Sequence, residues 1–525
     1  MYDVIIRNGF VCDGSGNPWT QLDVAVNDHE IVKVAKLSNE SATTEIDAKG
    51  LIVSPGFIDA HTHSDLLCTN PDIHYTRVLQ GITTELLGQD GISVAPVNSL
   101  TKSHWQDQMR GINGDIGDWP WESVAEYLTF LEQSTLIGNV AYLVPHGNIR
   151  TMVLGFADRA ATDHEISQMR ELAELGMQQG AFGLSTGIQY PPCSFASEEE
   201  LTEICKGVAK YDGCFVVHMR NESNYSLEAI EEVINISRNS GVRLNISHLK
   251  ITGEINRHLL EPAIEKIDQA RAEGIEVTFD QYPYTAASTI LQATLPPWVQ
   301  ADGTSAMIER LKDANIRKQC AEEMVNNGEY DNPVRNNGWS NIIIASVASE
   351  ENRHLEGKSL TDIAKLRGIE PAEVVFELLI EEHAAVTMII HWGEEEDVIR
   401  IMQHPLQMVG SDGIFGGKPH PRLYGSFQRV LGRYARDKNA FPLWEAVRKM
   451  TSAPAQLLRL NDRGYLRKGY KADVTIFDPE KIIDQATYDE PISDATGIKY
   501  VFVNGQLVVE HGVYTNETAG SVLRY

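Results

Sequence analysis

The middle of the chain alternates short apolar segments with amphipathic segments of helical period, and this alternation restricts the possible folds most strongly. Eight apolar segments are typical of buried β-strands, at residues 57–59, 83–87, 140–144, 181–184, 215–217, 244–246, 276–279 and 407–409. Helix signals lie between several of them, since Thr162 with Glu165 and Ser197 with Glu200 match the spacing of a capping box. Strands that alternate with helices favour an α/β fold with a closed parallel sheet, the (β/α)8 TIM-like barrel. A doubly wound open sheet is the alternative.

The two ends of the chain carry β-hairpin signals instead. Asn8-Gly9 and Asn27-Asp28 stand between strand-like segments near the N-terminus, and Asn504-Gly505 does so near the C-terminus. Neither end has enough strands to cover a core alone. We therefore predict one small, discontinuous β-sandwich domain, built from residues 1–54 and 463–525.

The barrel domain then covers residues 55–462. Within it, residues 286–404 are too long for a single crossover between two strands. We predict that this segment is an insertion that forms a lid over the barrel mouth.

Composition excludes several classes of protein. Asp and Glu number 73 and Lys and Arg number 45, and the resulting net charge of −28 repels nucleic-acid phosphates. No run of about 20 apolar residues predicts a membrane helix. The six cysteines form no CxxC pair, which excludes a disulfide framework or zinc ribbon. In residues 1–11, polar and apolar side chains alternate as in a strand, which is not the pattern of a signal peptide. We expect a cytoplasmic protein without nucleic-acid or membrane partners; assembly into a homo-oligomer stays open.

Polar residues follow four of the predicted strands. His61 and His63 end the first strand and point the same way, because side chains at i and i+2 share a face. His218 and His248 end the fifth and sixth strands, and Asp412 follows the eighth. A single buried histidine is more often a hydrogen-bonded core residue, but the carboxyl ends of barrel strands form the active-site face. Together these residue types predict a site for Zn²⁺ or a similar divalent ion.

Residues 55–63 read PGFIDAHTH, and with the later histidines and aspartate this pattern resembles the amidohydrolase superfamily. Within it, the chain is similar to the D-aminoacylase (N-acyl-D-amino-acid deacylase) family over nearly its whole length. The similar stretches are GLSTG at 183–187, ISHLK at 246–250, YPYTA at 282–286, LEGKSL at 355–360 and HPR at 420–422. The resemblance implies a metal-bearing barrel, a terminal β-sandwich and a lid-like insertion.

One position departs from the family pattern. The family reads Gly-Asn-Cys-Gly-Ile where this chain has GQDGI at 88–92, so Asp90 replaces a cysteine that ligates metal. We interpret Asp90 as a carboxylate ligand that can bridge two ions; alternatively, it caps a loop and one ligand is lost. A hard oxygen in place of a thiolate lowers the preference for zinc and admits Mn²⁺ or Co²⁺ more readily. The expected ligands of one or two ions, zinc in the first place, are His61, His63, Asp90, His218, His248 and Asp412.

The expected activity is metal-dependent hydrolysis of an amide bond in a small N-acyl amino acid. A bound ion lowers the pKa of a water molecule to about 7. We predict that Asp412 is the catalytic base, which takes the proton of the water and passes it to the departing nitrogen; a turn-capping aspartate is the alternative.

Four residues are candidates for binding the α-carboxylate of the substrate. Lys250 lies two positions after His248, Tyr282 and Ser288 follow the seventh strand, and Tyr190 follows the fourth. The family resemblance supports Lys250, Tyr282 and Ser288 more strongly than Tyr190. Because residues 283–300 contain no Lys or Arg, we predict neutral or apolar side chains in preference to acidic ones. The D configuration is implied by the resemblance alone.

Three rival functions stay open. Cyclic-amide hydrolases of the hydantoinase or dihydroorotase kind usually carry a carboxylated lysine on the fourth strand, and residues 181–186 contain no lysine. An isoaspartyl-type dipeptidase would use the same barrel. A catalytically dead scaffold is the non-enzyme alternative, although such a scaffold typically loses metal histidines.

Overall fold

The computed structural model describes residues 1–113 and 117–525. Five strands come first along the chain: β1 (Tyr2–Val11), β2 (Thr20–Asn27), β3 (Glu30–Ala35), β4 (Ala42–Asp47) and β5 (Ile52–Pro55). β2 and β3 form the hairpin that Asn27-Asp28 predicted. The turn predicted at Asn8-Gly9 is wrong: both residues lie within β1, whose pairing with β2 shifts between Ile6 and Gly9. Asn8 has a φ of 61°, so its tolerance of positive φ serves a bulge and not a turn.

The strands of the barrel follow at the positions that the sequence predicted. They are β6 (Phe57–Asp59), β7 (Ile82–Leu87), β8 (Asn139–Tyr142), β9 (Val144–Pro145), β10 (Gly183–Gly187), β11 (Cys214–His218), β12 (Arg243–Ile246) and β13 (Val277–Gln281). β8 and β9 are two parts of one strand, separated by Leu143.

Three strands lie beyond β13 and before the last barrel strand: β14 (Ala286–Ile290), β15 (Ile342–Val347) and β16 (Val386–His391). They form a separate antiparallel sheet with β16 in the centre. This sheet lies within residues 286–404, for which we predicted an insertion. β17 (Gln407–Val409) then completes the barrel strands.

The parallel strands close into a ring. β6, β7 and β8 pair in that order, and β9, β10, β11, β12, β13 and β17 pair in that order. Between β17 and β6, the Ala60 N–H donates to the Val409 carbonyl and the Asp412 N–H to the His61 carbonyl. In the described part of the chain, eight parallel strands therefore form the predicted barrel, with β8 and β9 counted as one.

The chain ends with β18 (Val474–Phe477), β19 (Ile498–Val503), β20 (Gln506–Glu510) and β21 (Val513–Tyr514). β18 pairs antiparallel with β5, so strands from both ends of the chain share one sheet, called the terminal sheet below. Buried Val24, Val53, Ile476 and Phe502 belong to its apolar core. The α/β fold class with a β-domain from both termini is confirmed, whereas the domain boundaries at 54 and 463 stay predictions.

The α-helices are α1 (Pro71–Val78), α2 (Lys102–Asn113), α3 (Val124–Gln133), α4 (His146–Leu154), α5 (Asp163–Gln178), α6 (Glu198–Ala209), α7 (Ser226–Ser240), α8 (Leu260–Ala272), α9 (Thr304–Arg310), α10 (Ala314–Asn326), α11 (Pro333–Asn337), α12 (Leu360–Arg367), α13 (Pro371–Glu381), α14 (Glu395–Met402), α15 (Arg422–Arg429), α16 (Leu443–Met450) and α17 (Ser452–Leu457). Apolar residues of α6 and α7, such as Ile204 and Val233, share one buried core with strand residues such as Leu184. Within the two described ranges, none of the helices has the length and apolar character that crossing a bilayer requires.

After β21 the chain returns to the barrel. The Val140 N–H donates to the Ser521 carbonyl, and the Leu523 N–H donates to the Val140 carbonyl. The Tyr525 N–H donates to the Gly180 carbonyl in the same way. The last residues are thus hydrogen-bonded to β8 and to the segment just before β10.

Candidate metal centre

The carboxyl ends of five barrel strands bring six buried polar side chains to one place. These are His61 and His63 after β6, Asp90 after β7, His218 at the end of β11, His248 after β12 and Asp412 after β17. Asp90, His248 and Asp412 have positive φ values of 56°, 34° and 50°. Residues other than glycine rarely adopt this conformation, and it is concentrated at functional sites.

Four of these side chains converge on one point. The Nε2 atom of His61 lies 3.6 Å from Oδ2 of Asp90 and 3.7 Å from Oδ1 of Asp412. The Nε2 atom of His63 lies 3.5 Å and 3.3 Å from the same two oxygens. Tetrahedral ligands with bonds of about 2.1 Å stand about 3.4 Å apart, so the spacing suits a tetrahedral ion.

A second cluster shares Asp90 with the first. Nδ1 of His218 lies 2.9 Å from Nε2 of His248, and that atom lies 4.0 Å from Oδ2 of Asp90. The ligand atoms of Asp90, His218 and His248 lie within 4.8 Å of one another, as do those of the first cluster. One carboxylate therefore lies between two potential cation sites.

Unpartnered atoms show that these residues fit a divalent ion. Among the described residues, none forms a hydrogen bond with Nε2 of His61 or Oδ1 of Asp90, although both atoms are buried. Leaving such an atom unpaired costs about 1–3 kcal/mol. Imidazole and carboxylate ligands together suit zinc and similar transition metals.

Charge favours a cation as well. Burial alone would lower the pKa of His61, but the carboxylates of Asp90, Asp412 and Asp280 hold it well above its ordinary value. Burial alone would raise the pKa of Asp90, but the neighbouring imidazoles, that of His61 foremost, hold it well below. The negative potential that raises the pKa of His61 would also attract a divalent cation.

Two further side chains form hydrogen bonds with His218 and His248, and the Asp280 carboxylate lies near His61. Nε2 of His218 contacts Oε1 of Gln189, and Nδ1 of His248 lies 3.0 Å from Oε1 of Glu222. Nδ1 of His61 lies 3.5 Å from Oδ1 of Asp280. Such partners fix the tautomer and the ring orientation of a metal-binding histidine.

The predicted substrate-binding residues line a cavity next to the two clusters. The cavity opens to solvent, and its walls include His63, Asp90, His218, His248 and Asp412 as well as Lys250, Tyr282, Ser288 and Tyr190. The Nζ atom of Lys250 lies 2.6 Å from Oε2 of Glu222. Burial alone would lower the pKa of Lys250, but the Glu222 carboxylate holds it above its ordinary value, so the amine stays charged.

The two tyrosines differ in their partners. The Tyr190 hydroxyl lies 2.9 Å from the Thr289 hydroxyl on β14. By contrast, the described residues provide no hydrogen bond for the buried Tyr282 hydroxyl. Tyr282 therefore offers a free polar atom to a substrate, whereas Tyr190 is already engaged with the strand that carries Ser288.

Sequence reasoning missed Arg422, Glu222 and Gln189. Nη1 of Arg422 lies 2.9 Å from Oδ2 of Asp412, and its guanidinium lies 4.7 Å from the centre of the Tyr282 ring. The only sequence signal was the HPR motif at 420–422, to which we gave no role. No pattern pointed to Glu222 or Gln189, because their positions depend on the conformations of loops.

Comparisons with known proteins agree with this geometry. The family model described as amidohydrolase family matches residues 44–509. The chain belongs to this family. The amidohydrolase is 35% identical over 523 residues to a D-aminoacylase of Alcaligenes xylosoxydans xylosoxydans, with 99% of this chain and 97% of the relative covered. The family resemblance inferred from the sequence is confirmed.

Several solved structures match over 100% of both chains. A D-aminoacylase with a binuclear metal centre has a TM-score of 0.84 at 34% identity to this amidohydrolase. An N-acyl-D-glutamate deacylase from Bordetella bronchiseptica, in complex with zinc and a phosphonate that mimics the tetrahedral intermediate, has a TM-score of 0.85 at 33% identity. Both are similar to this chain throughout the barrel and the terminal sheet.

Proposed function

We propose that this amidohydrolase hydrolyses the amide bond of N-acyl-D-amino acids and releases a carboxylate and a free D-amino acid. The observation that carries the proposal is the cavity in which both histidine–aspartate clusters face a buried lysine. It places a hydrolytic centre beside a cation that can hold the α-carboxylate of the substrate. The names of the relatives supply the D configuration.

His61, His63, Asp90 and Asp412 would hold one divalent ion, and Asp90, His218 and His248 a second. The bound metal supplies a Lewis acid that polarises the carbonyl and lowers the pKa of a water molecule. Zinc is our first choice, and the carboxylate of Asp90 also favours manganese or cobalt. The shared position of Asp90 supports its role as a bridging ligand.

Asp412 acts as the base. Its Oδ1 atom faces the two histidines of the first cluster, while Arg422 holds Oδ2 at 2.9 Å. This contact orients the carboxylate next to the first cluster, where it can accept a proton from water and return it to the departing nitrogen.

Lys250, Tyr282, Ser288 and, less strongly supported, Tyr190 bind the α-carboxylate. The amine of Lys250 is charged and lines this wall, where it is paired with the Glu222 carboxylate at 2.6 Å. Several other walls are apolar, formed by Ile92, Ile112, Ile290, Ile390, Trp392 and Ile414. They support the preference for neutral or apolar side chains over acidic ones.

The rivals have less support. β10, the fourth barrel strand, reads GLSTG and has no lysine to be carboxylated, unlike the usual hydantoinase pattern. A catalytically dead scaffold would not need metal-site histidines that are oriented by further side chains such as Gln189 and Glu222. We retain the prediction of a cytoplasmic location on the basis of thiol chemistry, since the six cysteines, all within the described residues, are unpaired.

The test is a kinetic screen of N-acyl-D- and N-acyl-L-amino acids, dipeptides and cyclic imides with added Zn²⁺, Mn²⁺ or Co²⁺. We expect the highest kcat/KM with N-acyl-D-amino acids that have neutral or apolar side chains. Higher values with cyclic imides or dipeptides would overturn the proposed reaction. Higher values with acidic side chains would overturn only the proposed specificity.

A further inference from the structure

An aspartate of the insertion reaches the loop that follows β11. Oδ2 of Asp331 accepts a hydrogen bond of 2.9 Å from the backbone N–H of Glu222. Oδ1 of Asp331 accepts one of 2.8 Å from the Ser223 hydroxyl and lies 3.3 Å from Nδ2 of Asn336. Asp331 is 6% exposed. One carboxylate of the insertion thus fixes two consecutive residues of the barrel.

Glu222, at the end of this contact, connects the two halves of the candidate site. Its Oε1 atom lies 3.0 Å from Nδ1 of His248, a candidate metal ligand. Its Oε2 atom lies 2.6 Å from Nζ of Lys250, a candidate for binding the substrate carboxylate. A displacement of Glu222 would therefore disturb metal binding and substrate binding together.

We propose that Asp331 is a positioning residue, which holds Glu222 so that it orients His248 and Lys250 at the same time. The proposal rests on the proposed function for the roles of Lys250 and His248. It adds that the seating of the insertion on the barrel determines how well the site binds metal and substrate. Asp331 does not belong to either candidate metal cluster, but it lines the same cavity.

The chemistry of the contact explains why an acid stands at position 331. Both oxygens of Asp331 accept a hydrogen bond, one from an N–H and one from an O–H. Asparagine has the same shape but carries an NH2 group in place of one accepting oxygen, so one contact must either be lost or reverse its direction, with the Ser223 hydroxyl accepting. Burial, together with the charge of Glu222, raises the pKa of Asp331 to about 6. The site therefore disfavours the charged form of Asp331, and an uncharged residue would be easier to bury there.

The experiment compares Asp331→Asn and Asp331→Ala with the control Glu329→Gln. Glu329 is exposed and lies two residues earlier in the same segment. KM and kcat are measured for an N-acyl-D-amino acid at saturating metal, and zinc affinity is measured by competition with a chelator. We expect both Asp331 variants to raise KM about 10-fold with a smaller change in kcat, and to weaken zinc binding about 10-fold or more. The control should change neither.

A double-mutant cycle shows whether Asp331 acts through Glu222. We expect the double variant Asp331→Asn/Glu222→Gln to have the same zinc affinity and KM as the single variant Glu222→Gln. The reason is that Glu222→Gln already disrupts the contacts with His248 and Lys250 through which Asp331 acts. Fully additive effects would overturn the proposal, as would unchanged KM and zinc affinity in Asp331→Asn. Thermal unfolding shows which variants are folded. If Asp331→Ala does not fold, Asp331→Asn alone provides the test. If the wild type hydrolyses no N-acyl-D-amino acid but Asp331→Asn still weakens zinc binding, the proposed function fails and the positioning role is supported.

Discussion

At the scale of single residues, Asp90 has the strongest influence on the candidate centre. Its Oδ2 atom lies within 4.0 Å of ring nitrogens of His61, His63 and His248, and so belongs to both clusters. The sequence predicted a ligand at this position from the family pattern. The structure adds that the carboxylate stands between the clusters, where the choice of oxygen or sulfur would affect both candidate cation sites.

Replacing Asp90 by cysteine tests this role. Asp90→Cys should bind zinc about 10-fold more tightly and raise the ratio of zinc to manganese affinity, because a thiolate is the softer ligand. Dissociation constants for both metals, measured in wild type and variant, provide the check. An unchanged ratio would mean that position 90 does not ligate metal.

Removing the charge of Asp412 tests the proposed base. We expect Asp412→Asn to lower kcat by roughly 10²–10⁴-fold, since an amide cannot accept the proton. Metal content by mass spectrometry accompanies the kinetics and separates loss of the base from loss of the ion. Asp489→Asn, at an exposed position, serves as the control. An active Asp412→Asn enzyme with full metal content would contradict the assignment.

At the scale of secondary-structure elements, the barrel strands and the position of the insertion could be predicted, but the antiparallel sheet inside the insertion could not. β11 is an apolar run that ends at His218, and β12 alternates polar with apolar residues and ends two positions before His248, so the sequence placed both histidines correctly on neighbouring strands. β10 begins two residues later than predicted and runs to Gly187, because its end is set by pairing with β11. Asp331 and Glu222 meet only through long-range packing, which no local pattern encodes.

Arg77 on α1 connects several elements behind the metal centre. It donates to Asp59 on β6, to Oε1 of Glu85 on β7 at 3.0 Å and to the Ser411 hydroxyl after β17 at 2.9 Å. Arg77 is completely buried. A single cation therefore compensates carboxylates on two adjacent barrel strands.

Loss of this cation should destabilise the barrel. We expect Arg77→Met to lower the free energy of unfolding by about 3–5 kcal/mol, because Asp59 would remain buried without its cation and Glu85 would lose one of its charged partners. Urea denaturation measures the change. Arg459→Met, which removes a half-exposed arginine bound to Asp212 and Glu276, should cost no more than about 1 kcal/mol. If both substitutions lowered the free energy of unfolding equally, burial would not determine how much these ion pairs contribute to stability.

At the scale of the whole molecule, metal binding and folding should be coupled. The candidate ligands come from five separate strand ends and meet only in the folded barrel, so an ion would bind the native state in preference to the unfolded chain. A metal at 100 times its dissociation constant would add about 2.7 kcal/mol of stability.

Chelation should therefore lower the melting temperature, and re-addition of zinc should restore it. Differential scanning calorimetry makes the measurement, with chelator presaturated with zinc as the control. An identical melting temperature after verified removal of all metal would contradict coupling. The clusters would then be preformed by the barrel alone.

The terminal sheet also constrains the order in which the protein can be completed during synthesis. Val53 on β5 pairs with Ile476 on β18, and the tail carbonyl of Ser521 accepts from Val140 of the third barrel strand. A ribosome delivers β5 long before its partner, and domains generally fold as their residues emerge. The edge of β5 that pairs with β18 must therefore stay unpaired until nearly the entire chain has been translated. Protection of that edge in the nascent chain is a task for which cells use chaperones.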